Sequence, residues 1–195
     1  MTTDDRDDLP LLTLDLDGVI CGPPFGGERG LNLGISRRFL DPHERPHRAV
    51  VPPKWLSWPL DHLRFDFRRP LPGVAEALER LSEVRRLAVL TGRRSSPVHW
   101  LEWHKLDLYL DNAYWNITWL PSPHFKLGAL SVLEAVEHID DDGRTAQLMA
   151  ERADARPFLR DWPRNRDLPY HERVERVADL GALADVLVEE AAARG

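Results

Sequence analysis

The residues best suited to chemistry are carboxylates that close apolar runs. Asp15 and Asp17 end the stretch Leu11-Leu12-Thr13-Leu14, stand one residue apart and are followed by Gly18. In extended backbone the two side chains project to the same side, and two like charges so placed are costly unless a cation or a shared proton compensates them. A divalent metal is the simplest compensation. A second acidic run, Asp140-Asp141-Asp142, closes Val136-Glu-His-Ile139 and raises the same difficulty, with Asp142 also suited to cap a following helix. A third apolar run, Arg86 to Thr91, ends in a hydroxyl and Gly92. Lys126 stands at the start of an apolar helical stretch, where a positive charge opposes the helix dipole unless something anionic is near. A single Asp-x-Asp is most often a half-buried edge strand with solvated carboxylates, and a single lysine is most often surface. Their recurrence at successive element ends sets this chain apart.

The elements that must position these groups alternate. Leu11 to Leu14 reads as a buried strand opening into a tight loop, and Val74, Ala77, Leu78 and Leu81 share one helical face. Arg86–Thr91 reads as a second strand. Ser96 and Pro97 read as the cap and first position of a helix running to Lys105, on which Trp100 and Trp103 stand three apart with at least one of them in the core. Leu108–Leu110 and Ile117–Leu120 read as short strands, Pro121–Phe125 as a loop, and Lys126–Ala135 as a helix opened by its lysine. A strand at 136–139, a helix at 144–153, a strand at 156–159 and a closing amphipathic helix from Leu180 complete the pattern. Strands alternating with helices of this length predict an α/β fold, a doubly wound, Rossmann-like parallel sheet with right-handed crossovers. Open sheets of this kind place their chemistry at the carboxyl ends of the strands, where the acids fall.

The alternation is interrupted once. Cys21 to Gly30 is dense in glycine and proline, and the stretch up to Pro72 is irregular and proline-rich, with Phe39, Trp55, Trp58, Phe65 and Phe67 among arginines. The expected organisation is a core of residues 1–21 and 73–195 carrying an insertion at 22–72. A long connection of this kind holds either a small apolar cluster or a lid over the first strand's end.

Composition narrows the classes. With 195 residues, 43% hydrophobic and 30% charged, the chain can bury one ordinary core plus a small insertion. A net charge of −6 and a pI of about 5.7 supply no global field for nucleic acid or anionic membranes, so any phosphate must be handled by local groups. The single cysteine, Cys21, excludes an internal disulfide and a cysteine-rich zinc site. An acidic start without an apolar run predicts a soluble, cytoplasmic protein with no membrane partner.

In this order and spacing, Asp15-x-Asp17-Gly18-Val19, Thr91 at a strand end, Lys126 before a helix and Asp140-Asp141 at a strand end resemble the four motifs of the haloacid dehalogenase-like hydrolase superfamily. The resemblance covers Leu11 to about Leu159, apart from the insertion, which sits where that superfamily places a C1-type cap. An aspartate in the second position of the first motif implies its phosphatase branch. The stretch Phe158 to Arg166 is similar, more weakly, to a segment of the 5'-deoxyribonucleotidase-like group, with a tryptophan and an arginine in place of expected residues and with Thr-Gly-Arg where that group has Thr-Ala-Arg.

What the resemblance implies is chemically coherent. Asp15 would be the nucleophile of an aspartyl-phosphate mechanism, and Asp17 the proton carrier for the leaving oxygen and the attacking water. Mg²⁺ would be held by the Asp15 carboxylate, the Asp17 backbone carbonyl, Asp140 and Asp141. Lys126 and Thr91, with Gly18 and Gly92, would meet the phosphoryl oxygens. Trp55, Trp58 and Phe65 on the cap would suit an aromatic base. The expected activity is Mg²⁺-dependent hydrolysis of a small phosphomonoester, with a nucleotide as one candidate. A polynucleotide end phosphatase is the second enzyme reading, with Arg37, Arg38, Arg45, Arg48, Arg64, Arg68 and Arg69 along a groove, a cluster that is more often simply a solvated face. A phosphate-binding module without turnover is the third, and it would not need both Asp15 and Asp17.

Overall fold

The protein is described by a computed structural model over residues 8–22, 68–163 and 165–194. The stretch 23–67, with Trp55, Trp58 and Phe65 and most of the insertion's arginines, lies outside these described residues, as do 1–7, 164 and 195. Among the described residues, strands β1 (Leu11–Leu14), β2 (Arg86–Thr91), β3 (Asn112–Trp115), β4 (Glu137–Asp140), β5 (Arg156–Arg160) and β6 (Glu175–Val177) form one sheet in the order β3-β2-β1-β4-β5-β6. Every pairing is parallel, with Leu14 opposite Val89 on one side and Ile139 on the other. The acids that follow β1 and β4 therefore emerge side by side. This is the expected doubly wound, Rossmann-like sheet.

Helices α1 (Val74–Ser82), α2 (Val98–Trp103) and α5 (Leu180–Ala192) cover one face, and α3 (Ser122–Leu133) and α4 (Gly143–Arg152) the other. Strand alternation divides the apolar residues between them. Leu12, Leu14, Leu87, Val89, Ile139 and Phe158 pack with Val74, Leu78, Leu81, Leu183 and Leu187 in the larger core, while Leu90 packs with Leu130 and Met149 on the opposite side. Each such side chain contributes roughly 1.5–3 kcal/mol by leaving water, so β1, with three consecutive residues at zero exposure, anchors the sheet. Charge inside β4 is matched, because Glu137 accepts two hydrogen bonds from Arg85, at 2.6 and 3.1 Å. No helix among the described residues is long and apolar enough to cross a membrane.

Several boundaries differ from the sequence reading. Leu108–Leu110 and Ile117–Leu120 are not strands. Residues 107–109 form a 3₁₀ turn, and β3 lies between the two stretches, over Asn112–Trp115. As an edge strand it carries little apolar pattern of its own, whereas Leu108, Ile117 and Trp119 are 71%, 79% and 81% exposed and mimic buried runs. Pro121–Phe125 is not a loop: α3 starts at Ser122, with Pro123 in its first turn, a position that needs no N–H donor. Lys126 consequently lies in the second turn rather than opening the helix. Helix α2 begins one residue later than expected, although Ser96 Oγ still accepts from the Val98 amide at 3.3 Å. Of the tryptophan pair on α2, Trp100 is buried and Trp103 is exposed. The short edge strand β6 had no counterpart in the sequence pattern.

Candidate active site

The loop after β1 is a tight turn fixed from below. Leu16, Val19, Ile20 and Cys21 are fully buried, and the Ile20 and Cys21 amides both donate to the Leu16 carbonyl, at 3.1 and 2.7 Å. Gly18 has φ of 81°, and a Cβ there would fall 2.0 Å from Asp141 Oδ2, so only glycine lets the β1 loop pass beneath the β4 loop. A Cβ on Gly92 would likewise fall 2.1 Å from Ser122 Oγ, where the β2 loop meets the start of α3. The two motif glycines are required by close approach of chain segments.

Asp15, Asp140 and Asp141, all buried, each bring a carboxylate oxygen within 4.8 Å of the others. Lys126 reaches into this acidic group from α3, with Nζ 2.7 Å from Asp140 Oδ2 and 2.8 Å from Asp15 Oδ1. The Asp140 contact is a well-formed hydrogen bond. The Asp15 contact is an ion pair at Oδ1. Burial pushes the Asp15 carboxyl up to about 7, with Asp140 and Asp17 adding to the shift and Lys126 opposing it. At Asp140 the same burial is outweighed by Lys126 and His138, and its carboxyl is held well below the usual range. Lys126, between two acids, is held firmly protonated despite its burial. Three clustered carboxylates offer hard oxygen donors of the kind that suits Mg²⁺.

Asp17 faces other partners. Its carboxylate accepts from Arg93 Nε at 2.7 Å and Nη2 at 2.6 Å, and from Arg68 Nη1. Burial alone would raise its pKa, but Arg93 and then Arg68 bring it down to about 2. Its side chain is 34% exposed, against 7% for Asp15. The structure thus brings Asp15, Lys126, Asp140 and Asp141 together and turns the Asp17 carboxylate onto two arginines. Thr91 is buried, and its hydroxyl accepts from the Arg93 amide at 3.3 Å, which leaves its own proton to donate elsewhere. Asp142 caps α4 through its side chain, which accepts from the Arg144 amide at 3.0 Å.

Sequence reasoning overlooked several residues that hold this arrangement. His138, at zero exposure on β4, places Nδ1 2.8 Å from Thr13 Oγ1 and Nε2 3.3 Å from Asp140 Oδ2. Asn165, also fully buried, donates to the carbonyls of Asp141 and Arg160, at 3.1 and 2.8 Å. The Gly18 carbonyl accepts from Trp162 Nε1 at 3.0 Å and from Arg160 Nη1 at 2.6 Å. The loop after β5 therefore ties the β1 and β4 loops together. Its signal in the sequence was a cluster of polar and aromatic residues at a strand end, but only tertiary structure shows where they point.

By sequence, no family model and no curated protein matches this chain. Solved structures do match its fold. A HAD-superfamily hydrolase of subfamily IA from Geobacter sulfurreducens aligns at 19% identity and a TM-score of 0.56, covering 91% of this chain and 99% of that one. The D,D-heptose 1,7-bisphosphate phosphatase of B. bronchiseptica, solved with magnesium and phosphate, aligns at 16% identity and a TM-score of 0.57, covering 93% and 99%. A 2-haloacid dehalogenase from Pseudomonas syringae pv. tomato aligns at 15% identity and a TM-score of 0.55, covering 93% and 99%. One architecture thus serves phosphatases and dehalogenases alike, and at these identities the likeness is one of fold. It is the fold to which the Asp-x-Asp-Gly-Val strand pointed: this chain is built on the haloacid dehalogenase-like fold.

Proposed function

We propose that this protein is a Mg²⁺-dependent hydrolase of small phosphomonoesters that acts through Asp15. The observation that carries the reading is the convergence of Asp15, Asp140 and Asp141, three buried carboxylates with oxygens within 4.8 Å of one another, on Lys126, whose Nζ lies 2.8 Å from Asp15 Oδ1. Asp15, Asp140 and Asp141, with the Asp17 backbone carbonyl, would hold the metal. When bound, Mg²⁺ supplies charge neutralisation between the attacking carboxylate and a phosphate dianion.

The chain's own groups account for the rest. An Asp15 oxygen forms a bond to phosphorus as the bond to the leaving oxygen breaks, and the leaving oxygen takes a proton. Water then bonds to the same phosphorus as the aspartyl oxygen departs, giving up its proton and releasing inorganic phosphate. Lys126 neutralises charge on the phosphoryl oxygens, and Thr91 offers its hydroxyl proton to one of them. Asp17 can carry the proton in both steps once it has left Arg68 and Arg93, since a carboxylate held by two guanidiniums is a poor acid. A carboxylate at the second motif position supports phosphoryl transfer over dehalogenation, which needs no such proton carrier.

Release of phosphate from 4-nitrophenyl phosphate, measured with and without Mg²⁺ for the wild type and Asp15→Asn, tests this. Metal-dependent turnover that Asp15→Asn lowers by at least about 10³-fold is expected of a lost nucleophile. Activity of the variant within threefold of wild type would exclude Asp15 as the nucleophile.

A further inference from the structure

Two guanidiniums converge on one carboxylate beside the candidate site. Arg93 holds Asp17 through a bidentate pair at 2.7 and 2.6 Å, and Arg68 adds Nη1. Both arginine side chains are nearly buried, at 5% and 8% exposure, whereas that of Asp17 is 34% exposed. The arginines are also fixed independently of Asp17. Arg68 Nε donates to the Gly22 carbonyl at 2.5 Å, and the Arg68 carbonyl accepts from Trp100 Nε1 at 2.9 Å. Arg93 Nη2 donates to the buried Cys21 Sγ at 3.8 Å, and the Arg93 backbone is held by the Asn116 amide at 2.8 Å and by Thr91. The carboxylate is therefore the member of the trio that can leave, and the guanidiniums are the members that stay.

We propose that Arg68 and Arg93 form a receptor for a second anionic group on the substrate, occupied here by the Asp17 carboxylate, so that preferred phosphomonoesters carry a carboxylate or a second phosphate on the leaving group. The planar guanidinium fork matches either anion with paired hydrogen bonds. Asp17 and Arg93 both lie near enough to Asp15 to interact with its charge, so an anion seated on the arginines would belong to the leaving group of a phosphate seated at Asp15. Its arrival also displaces Asp17 and frees that side chain to serve the leaving oxygen. Substrate binding and release of the proton carrier are then one event. A phosphomonoester with a neutral leaving group leaves Asp17 where it is.

The inference rests on the phosphatase reading for the word substrate, and its test separates the two. Binding is measured by calorimetry on Asp15→Asn with Mg²⁺, using glycerol 3-phosphate, 3-phosphoglycerate and glycerol 1,3-bisphosphate, which share a three-carbon frame and end in a neutral, a carboxylate and a phosphate group. The charged ends should bind at least about tenfold tighter than glycerol 3-phosphate, the scale of a charge-assisted hydrogen-bond pair. Adding Arg68→Gln or Arg93→Gln should erase that preference, and Arg68→Lys should keep part of it. Adding Asp17→Asn removes the competing anion without touching either arginine, and should tighten the charged ligands by about tenfold more than it tightens glycerol 3-phosphate. The Asp17→Asn arm decides the matter even where an arginine variant fails to fold. Equal binding of all three ligands, a preference that survives both glutamine variants, or a gain from Asp17→Asn no larger for the charged ligands than for glycerol 3-phosphate overturns the receptor. Turnover of 4-nitrophenyl phosphate by the wild type with equal binding of the three ligands overturns the receptor alone. A preference in binding with no turnover of any ester supports the receptor and counts against the phosphatase reading alone.

Discussion

Asp15 faces Lys126, Asp140 and Asp141 in a pocket of charge bound to the sheet, while Asp17, two positions along, faces Arg93 and Arg68 where the insertion rejoins the core. The first is buried and pushed up to about 7, and the second is one-third exposed and drawn down to about 2. Two like residues on one turn thus receive opposite chemistry from their neighbours. The carboxylate cluster at Asp15 offers oxygen donors to a cation, and the guanidinium pair at Asp17 offers N–H donors to an anion. Divergent environments around paired carboxylates are how one site assigns separate roles to the same functional group.

The sharpest break of this comparison removes one cation from each side. Lys126→Met strips the buried acids of their ammonium and should cost about 3–5 kcal/mol of stability, with loss of activity, because breaking a buried ion pair leaves uncompensated charge. Arg93→Gln should cost only roughly 1–2 kcal/mol, since Asp17 keeps Arg68 and contact with water. Chemical denaturation of both variants checks the contrast. Equal losses would mean that the two sides are not electrostatically distinct.

Replacing Asp140 and Asp141 together with asparagine acts on the cation-binding side alone. The Mg²⁺ concentration needed for half-maximal activity should rise by at least about tenfold. An unchanged Mg²⁺ titration would assign the two acids to a structural turn.

A smaller effect follows from pH. The raised carboxyl of Asp15 holds its proton in the metal-free protein below about 7, so a metal must displace that proton on binding. Apparent Mg²⁺ affinity should fall by about tenfold for each pH unit below that point and level off above it. Calorimetric titrations of Mg²⁺ from pH 5 to 8 check this, and affinity independent of pH would place the metal away from Asp15.

The same contrast explains what could be read from the sequence. Asp15, Asp140 and Asp141 lie at the ends of strands that the alternation predicted, and Lys126, although one turn inside its helix, was placed with them by the motif resemblance. The arginines on Asp17 carried no such signal. Arg93 appeared only as the third residue of Thr-Gly-Arg, and Arg68 as one basic residue among many in a proline-rich stretch. Their pairing depends on the return of the chain at 68–72 beside Cys21 and Gly22, a tertiary fact. Edge strands β3 and β6 escaped for a related reason, since strands of four and three residues with at most one buried side chain are too short to show a period. Trp55, Trp58 and Phe65 belong to the stretch outside the described residues, and the cap reading of 22–72 stays a proposal.

The central claim is that the Asp15 carboxylate bonds to phosphorus. Acid quenching of the Mg²⁺-loaded wild type during turnover of 4-nitrophenyl phosphate, followed by mass spectrometry of its peptides, tests that claim directly. The account predicts a phosphoryl increment on the peptide that contains Asp15, absent from Asp15→Asn and lost on treatment with hydroxylamine, as an acyl phosphate must be. A protein that releases phosphate with no label at Asp15, or with the label on another residue, would contradict it.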